Sequence, residues 1–151
     1  MATLEEVLKM RPVTNPHQRA LLNIMVTGAH IQGRMNTMLK PFGITEPQYN
    51  VLRILRGQQG RSMNLYEISD RMVYPTSNVS RIIDRLLLKN FVIREANPTN
   101  RRRVDISITE EGLAMLLTLE PAFTELMDGM YARLNEEEAR QLSDWLEIVR
   151  G

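Results

Sequence analysis

Apolar residues recur at helical steps along most of this chain, and the pattern turns to alternation in one short region only. Asn15-Pro16 reads as a helix start, after which Leu21, Met25, Ala29, Met35, Leu39 and Phe42 follow at mostly three- and four-residue steps as far as Pro41-Phe42-Gly43. This predicts a long first helix. Gly28 and Gly33 inside it each cost about 1 kcal/mol against alanine, which predicts a close helix contact or a bend. Thr45-Glu46-Pro47-Gln48 joins a capping box to a proline in the first turn, with Tyr49, Leu52 and Leu55 on one face until Gly57 to Gly60 stop the helix. Arg61-Ser62-Met63 is a short linker or strand. Asn64 and Glu67 make a second capping box, opening a short helix that runs to about Val73. Tyr74-Pro75-Thr76-Ser77 is a turn from which a fourth helix starts and extends to about Lys89, and Asn90 stands where a left-handed cap is wanted.

The period then changes. Phe91 to Glu95 and Val104 to Ile108 have strand character, the second in strict alternation, and Asn97-Pro98-Thr99-Asn100-Arg101-Arg102-Arg103 joins them as a β-hairpin with a basic tip. Thr109 caps a further helix carrying Leu113, Leu116, Leu117, Phe123, Leu126, Met127, Met130 and Leu134, in which Pro121 predicts a kink. A last helix opens at the Asn135 to Glu138 box and carries Leu142, Leu146 and Val149.

Composition narrows the class. The 151 residues are 43% hydrophobic and 25% charged, as in a soluble globular protein of one compact unit, and no cysteine is present for disulfides, thiolate metal sites or thiol redox sensing. No apolar run approaches the ~20 residues needed to span a bilayer, and Glu5 and Glu6 stand where a signal peptide would carry basic residues, so a cytoplasmic protein is expected. The net charge of +1 hides a separation. Residues 1–45 hold five Lys/Arg against two Asp/Glu, residues 46–110 eleven against seven, and residues 111–151 three against nine. The middle segment is thus a candidate for binding a polyanion.

Two short helices joined by a tight turn and followed by a hairpin give the order helix-turn-helix-wing, within the most basic part of the chain. On a helical wheel of the fourth helix, Val79, Ile82, Ile83 and Leu86 share one side; Ser77, Arg81 and Asp84 lie opposite, flanked by Asn78 and Arg85. Small polar residues let the backbone approach a DNA major groove, where asparagine pairs with adenine and arginine with guanine. Ser77, Asn78 and Arg81 are therefore the base-reading candidates, with Ser80 on the same helix and Thr76 and Arg85 placed to touch phosphate. Asp84 should pair with Arg81 or a wing arginine, or accept from a cytosine amine. Leu88 also falls on the outward side, without explanation. Three adjacent arginines, Arg101, Arg102 and Arg103, repel one another unless something anionic lies nearby, and a DNA minor groove would supply it.

These motifs resemble the MarR family of bacterial regulators. The resemblance rests on residues 68 to 112, with Ser80-Arg81-Ile82-Ile83-Asp84-Arg85-Leu86, a wing reading Asn97-Pro98-Thr99-Asn100-Arg101-Arg102 in place of the family's Asp-Pro-x-Asp-Arg-Arg, and Ile108-Thr109 for its Leu-Thr. It implies a mainly α fold with a small β-wing: a winged helix-turn-helix over 46–110, flanked by dimerisation helices over 1–45 and 111–151. It also implies that Arg102 enters the minor groove and that Asn100 replaces the aspartate that orients it; asparagine can hydrogen-bond that guanidinium but cannot neutralise it. A homodimer on a pseudopalindromic operator follows, most simply as a repressor, with the opposite charges of the two ends suited to an intertwined contact. The family's effector pocket, for a small aromatic or anionic compound, would be lined by residues such as His30, Arg34, Met35 and Tyr49.

Enzymatic readings find no footing in the sequence. His17 and His30 are the only histidines, and no nucleophile, acid/base pair or metal set accompanies them, so neither catalysis nor a cofactor is expected. The alternative of another class is a winged helix used as a protein-docking or anti-repressor module, against which the arginine-rich tip argues.

Overall fold

A computed structural model describes residues 2–97, 99–100 and 103–151. Helix α1 (Leu4–Leu8) precedes the long α2 (Pro16–Leu39), which passes through a 3-10 turn (Lys40–Phe42) to α3 (Glu46–Arg56). Strand β1 (Met63–Asn64), α4 (Leu65–Asp70), α5 (Val79–Leu87), β2 (Val92–Ala96) and β3 (Val104–Ile108) follow, and α6 (Glu110–Tyr131) and α7 (Glu136–Arg150) close the chain. The mainly helical architecture with a small sheet agrees with the expectation from the sequence.

Local chemistry explains most boundaries. Asn15 accepts from the amides of His17 and Gln18 at the start of α2, and the boxes Thr45/Gln48, Asn64/Glu67 and Asn135/Glu138 are each closed in both directions. The box that periodicity missed is Thr3/Glu6 on α1, a helix of five residues too short to show a hydrophobic period. Asn90 adopts the left-handed conformation, φ 58°, foreseen for it.

The helix boundaries around the turn before α5 need correction. α4 ends at Asp70, not near Val73, and α5 begins at Val79, so Pro75, Thr76 and Ser77 lie in the turn between them and Asn78 is the residue before the helix. Proline restricts only its predecessor, Tyr74, so it marks the turn without fixing where the following helix starts. α6 runs as a single helix through Pro121. Gly28 and Gly33 have open space where a Cβ would stand, so neither makes a close contact within this chain.

The sheet is antiparallel in the order β1-β3-β2, with Met63 opposite Ile106 and Arg94 opposite Ile106 on the other side. Its inner face and helices α3, α4, α5 and the first half of α6 enclose one core containing Leu52, Leu55, Ile68, Ile83, Leu86 and Ile106, all essentially inaccessible. Burying each such side chain contributes about 1.5–3 kcal/mol, so this cluster fixes the placement of α5 against the sheet. Gly112 allows α6 to pass directly over the end of that unit, since a Cβ there would lie 2.3 Å from the carbonyl oxygen of Phe91. Away from this core the picture reverses. α7 buries none of its residues, Trp145, Ile148 and Val149 are exposed, and on α2 so are Leu21 and Met25.

Candidate nucleic-acid interface

The turn before α5 is held from two sides. The Asn50 side-chain oxygen on α3 accepts from the Val73 amide at 3.0 Å, and Thr76 Oγ1 accepts from the Asn78 amide at 3.1 Å. α5 begins without a side-chain cap, so its first amides are left for another acceptor. Its inner face carries the buried Val79, Ile83 and Leu86, which turns Ser80, Arg81, Asp84 and Arg85 outward, all of them exposed. Arg81 and Arg85, with Asn78 and Ile82, border a shallow hollow of about 210 Å³ whose far wall is Thr45, Pro47 and Gln48 at the start of α3. Ser77 is exposed in the turn and Thr76 is half-buried. Leu88, 86% exposed just past the helix end, has no packing role that the fold explains.

Asp84 pairs with Arg94 on β2 at 2.8 Å, not with Arg81. Arg94 was not singled out from the sequence, because an arginine alternating outward on a strand is an ordinary solvated residue until the helix beside it is placed. At the other end of α5, Lys89 Nζ donates to the carbonyl oxygen of Gly43, and Thr109 Oγ1 donates to that of Asn90 at 2.7 Å. The C-terminal end of α5 is thereby tied to the α2–α3 junction and to the start of α6.

The hairpin is organised by Asn97. Its side-chain oxygen accepts from the Thr99 amide at 3.0 Å, the Thr99 hydroxyl at 2.7 Å and the Asn100 amide at 2.9 Å, while its amide nitrogen donates to the Asp105 carboxylate at 2.8 Å. Backbone bonds from Asn97 to Arg103 and from Arg103 to Asn100 close the turn. Asn-Pro is a recognised turn opener, so this role was available to a closer reading of the sequence. Arg103 is exposed at the base of the tip. Arg101 and Arg102 lie outside the described residues, and with them the orienting contact expected between Asn100 and Arg102.

The four residues named for an effector pocket separate into two pairs. His30 and Arg34 border a groove of about 680 Å³ between α2 and the α6–α7 turn, together with Ile24, Ile31, Met130 and Leu134. Arg34 also borders a second cavity of about 500 Å³ with Met38, Phe42 and Leu126. Met35 packs against the core instead, and Tyr49 is buried, its ring centroid 6.0 Å from that of Phe123 and its hydroxyl accepting from Arg53 at 3.0 Å. Among the described residues, no group of three or more His, Asp or Glu side chains is placed to hold a metal, and no helix is long and apolar enough to cross a membrane.

Known proteins match this arrangement. The MarR family model matches residues 44–104, from the approach to α3 to the start of β3. The chain is 30% identical over 121 residues to the HTH-type transcriptional regulator MhqR of Bacillus subtilis, covering 79% of this chain and 81% of that protein. It is 27% identical over 146 residues to the transcriptional repressor MprA of Escherichia coli K12, covering 92% and 82%. The fold superposes with a TM-score of 0.77 on a mutant of MarR from E. coli complexed with operator DNA, at 23% identity and covering 99% of each chain. With its helix-turn-helix and first hairpin strand inside the matched segment and its relatives aligned over most of their length, the chain belongs to the MarR family of transcriptional regulators.

Proposed function

We propose that the protein is a repressor that binds a pseudopalindromic operator in duplex DNA as a homodimer. The observation that carries the reading is the outward face of α5: Ser80, Arg81 and Arg85 exposed, an uncapped helix start, and a hairpin packed beside it with Arg103 exposed at the base of its tip. Ser77, Asn78 and Arg81 read bases; Thr76, Arg85 and the uncapped amides of α5 hold phosphate; Arg101, Arg102 and Arg103 serve the adjacent minor groove. Residues 46–110 act as the reading unit, and residues 1–45 and 111–151 form the dimer.

A second copy is what the exposed apolar residues of α2 and α7 require. A 15-residue helix with no fully buried residue in its own chain, presenting Trp145, Ile148 and Val149 to the outside, gains much of its stability elsewhere. The charge of the two ends supports the same partner, since residues 1–45 carry an excess of three positive charges and residues 111–151 an excess of six negative ones. Such a dimer sets two α5 helices about one DNA turn apart. The cavities that share Arg34 suit a small anionic or aromatic effector, which would release the operator by changing that separation. The protein acts in the cytoplasm, where its DNA is.

Selection of bound sites from random duplexes tests the reading. A symmetric motif with steep salt dependence is expected; an absence of any enriched site would favour the protein-docking alternative.

A further inference from the structure

Pro121 stands halfway along α6, where the helix leaves the core that it shares with the reading unit. Before it, Gly112, Leu116 and Leu119 are buried; after it, only Leu126 is. Proline has no amide hydrogen, so the carbonyl of Leu117 has no partner four residues on, and the ring presses on that turn. A helix bends most readily at such a place.

α3 lies across this point. Tyr49, Arg53 and Arg56 form one stripe along it, at positions i, i+4 and i+7. Arg53 has its guanidinium 5.8 Å from the ring centroids of both Tyr49 and Phe123, and it donates to the Tyr49 hydroxyl. Arg56 pairs with Glu120 at 3.0 Å. The two α6 residues gripped in this way, Glu120 and Phe123, stand on either side of Pro121. The weak turn of α6 is thus spanned by two contacts from the reading unit. Neither arginine is needed to fill the core, for Arg53 is exposed and Arg56 only half-buried.

We infer that Arg53 and Arg56 are positioning residues that hold the direction of α6 across Pro121 and so set the half-site spacing that the dimer accepts. The inference rests on the homodimer proposed above. In such a dimer the second half of α6 belongs to the interface and the first half to the reading unit, so the angle at Pro121 is carried over the full distance to α5. A small change there becomes a large change in the separation of the two recognition helices.

The test uses the absence of cysteine from the chain. Leu88→Cys, at an 86% exposed position beside α5, takes one spin label per protomer, and pulsed dipolar spectroscopy reads the distance between the two labels. The parent should give one narrow distribution. Arg53→Ala with Arg56→Ala should broaden it about twofold, as expected of a released hinge, while Pro121→Ala should leave it as narrow or narrower because a regular helical turn is restored. Arg56→Glu with Glu120→Arg should recover most of the parent's narrowness, which a merely structural loss would not. On operators whose half-sites are moved by one base pair, the parent should lose about tenfold or more in affinity and the double alanine variant distinctly less. An unchanged width and spacing profile in the double variant, with its melting confirming a folded chain, would overturn the inference while leaving the dimer in place. The absence of any dipolar signal from the parent would overturn the dimer and this inference with it.

Discussion

Asp84 on α5 and Arg94 on the first hairpin strand form an ion pair at 2.8 Å that fastens the helix to the hairpin. Both side chains are partly exposed, 55% and 34%, so the pair contributes no more than about 1 kcal/mol to stability. Its effect on DNA should be larger. Asp84→Ala removes a negative charge from the face proposed to meet DNA and frees Arg94. Non-specific affinity is expected to rise and the salt slope to steepen by about one counterion, with less discrimination between operator and random duplex. Titrations of both duplexes at several salt concentrations check this, and a loss of affinity for both would show that Asp84 contributes directly to binding.

Arg81→Ala should act differently. Arginine that reads a guanine contributes about 1–3 kcal/mol to discrimination, so the variant should relax preference at one position per half-site. Arg102→Ala should weaken binding to every sequence alike. Comparing the selected motifs of the two variants separates base reading from wing anchoring, and unchanged affinity in both would remove α5 and the wing from the interface.

Gly112 is the position least able to accept a side chain. An added Cβ would meet the Phe91 carbonyl oxygen at 2.3 Å and Ile108 Cγ1 at 2.8 Å, and the first of these is backbone. Gly112→Ala should therefore cost about 1–3 kcal/mol or more, despite the usual helical advantage of alanine. Chemical denaturation reads the difference. A neutral or stabilised variant would mean that α6 passes farther from Phe91.

Asn97→Ala removes one acceptor used by three donors and one donor to Asp105. Because all of these bonds lie within the hairpin, the melting temperature should hardly move, while operator affinity should fall severalfold as the tip loses its fixed shape. Amide exchange of the Thr99 and Asn100 amides is the local readout, and their protection should be lost.

Burial raises the Glu46 carboxyl above its ordinary 4.5. Between 4.5 and the raised value the folded chain binds more protons than the unfolded one, so stability falls as pH rises through that window. Glu46→Gln should lack this dependence. The wild type should lose ground to the variant between mildly acid and neutral pH in denaturation curves, and a gap that narrows with pH would contradict a desolvated carboxyl.

Much of the fold could be read from local pattern. The boxes at Thr45, Asn64 and Asn135, the cap at Asn15 and the left-handed Asn90 are each decided within a few residues by hydrogen bonds between near neighbours, and all were anticipated. The outward face of α5 followed from the apolar spacing of Val79, Ile83 and Leu86. The start of α5 did not, because the Tyr74 to Asn78 turn is shaped by Asn50, 23 residues before the amide that it accepts from. For the same reason the contact of Tyr49 was not legible: periodicity puts it on the inner face of α3 but cannot say that Phe123 covers it.

What the sequence by itself determined is the order of elements from α2 onward, the ends of most helices, the polar outward face of α5 and the separation of charge along the chain, since each depends on residues close together or on a simple count. Only the tertiary structure decided that Asp84 is held by Arg94, that Gly112 is required by Phe91, that His30 and Arg34 face a groove while Tyr49 does not, and that α3 grips α6 on both sides of Pro121. These are meetings of side chains distant in sequence. They depend on how helices with similar apolar stripes are rotated and stacked, and that packing is settled by the shape of the whole core, not by the pattern of any one segment.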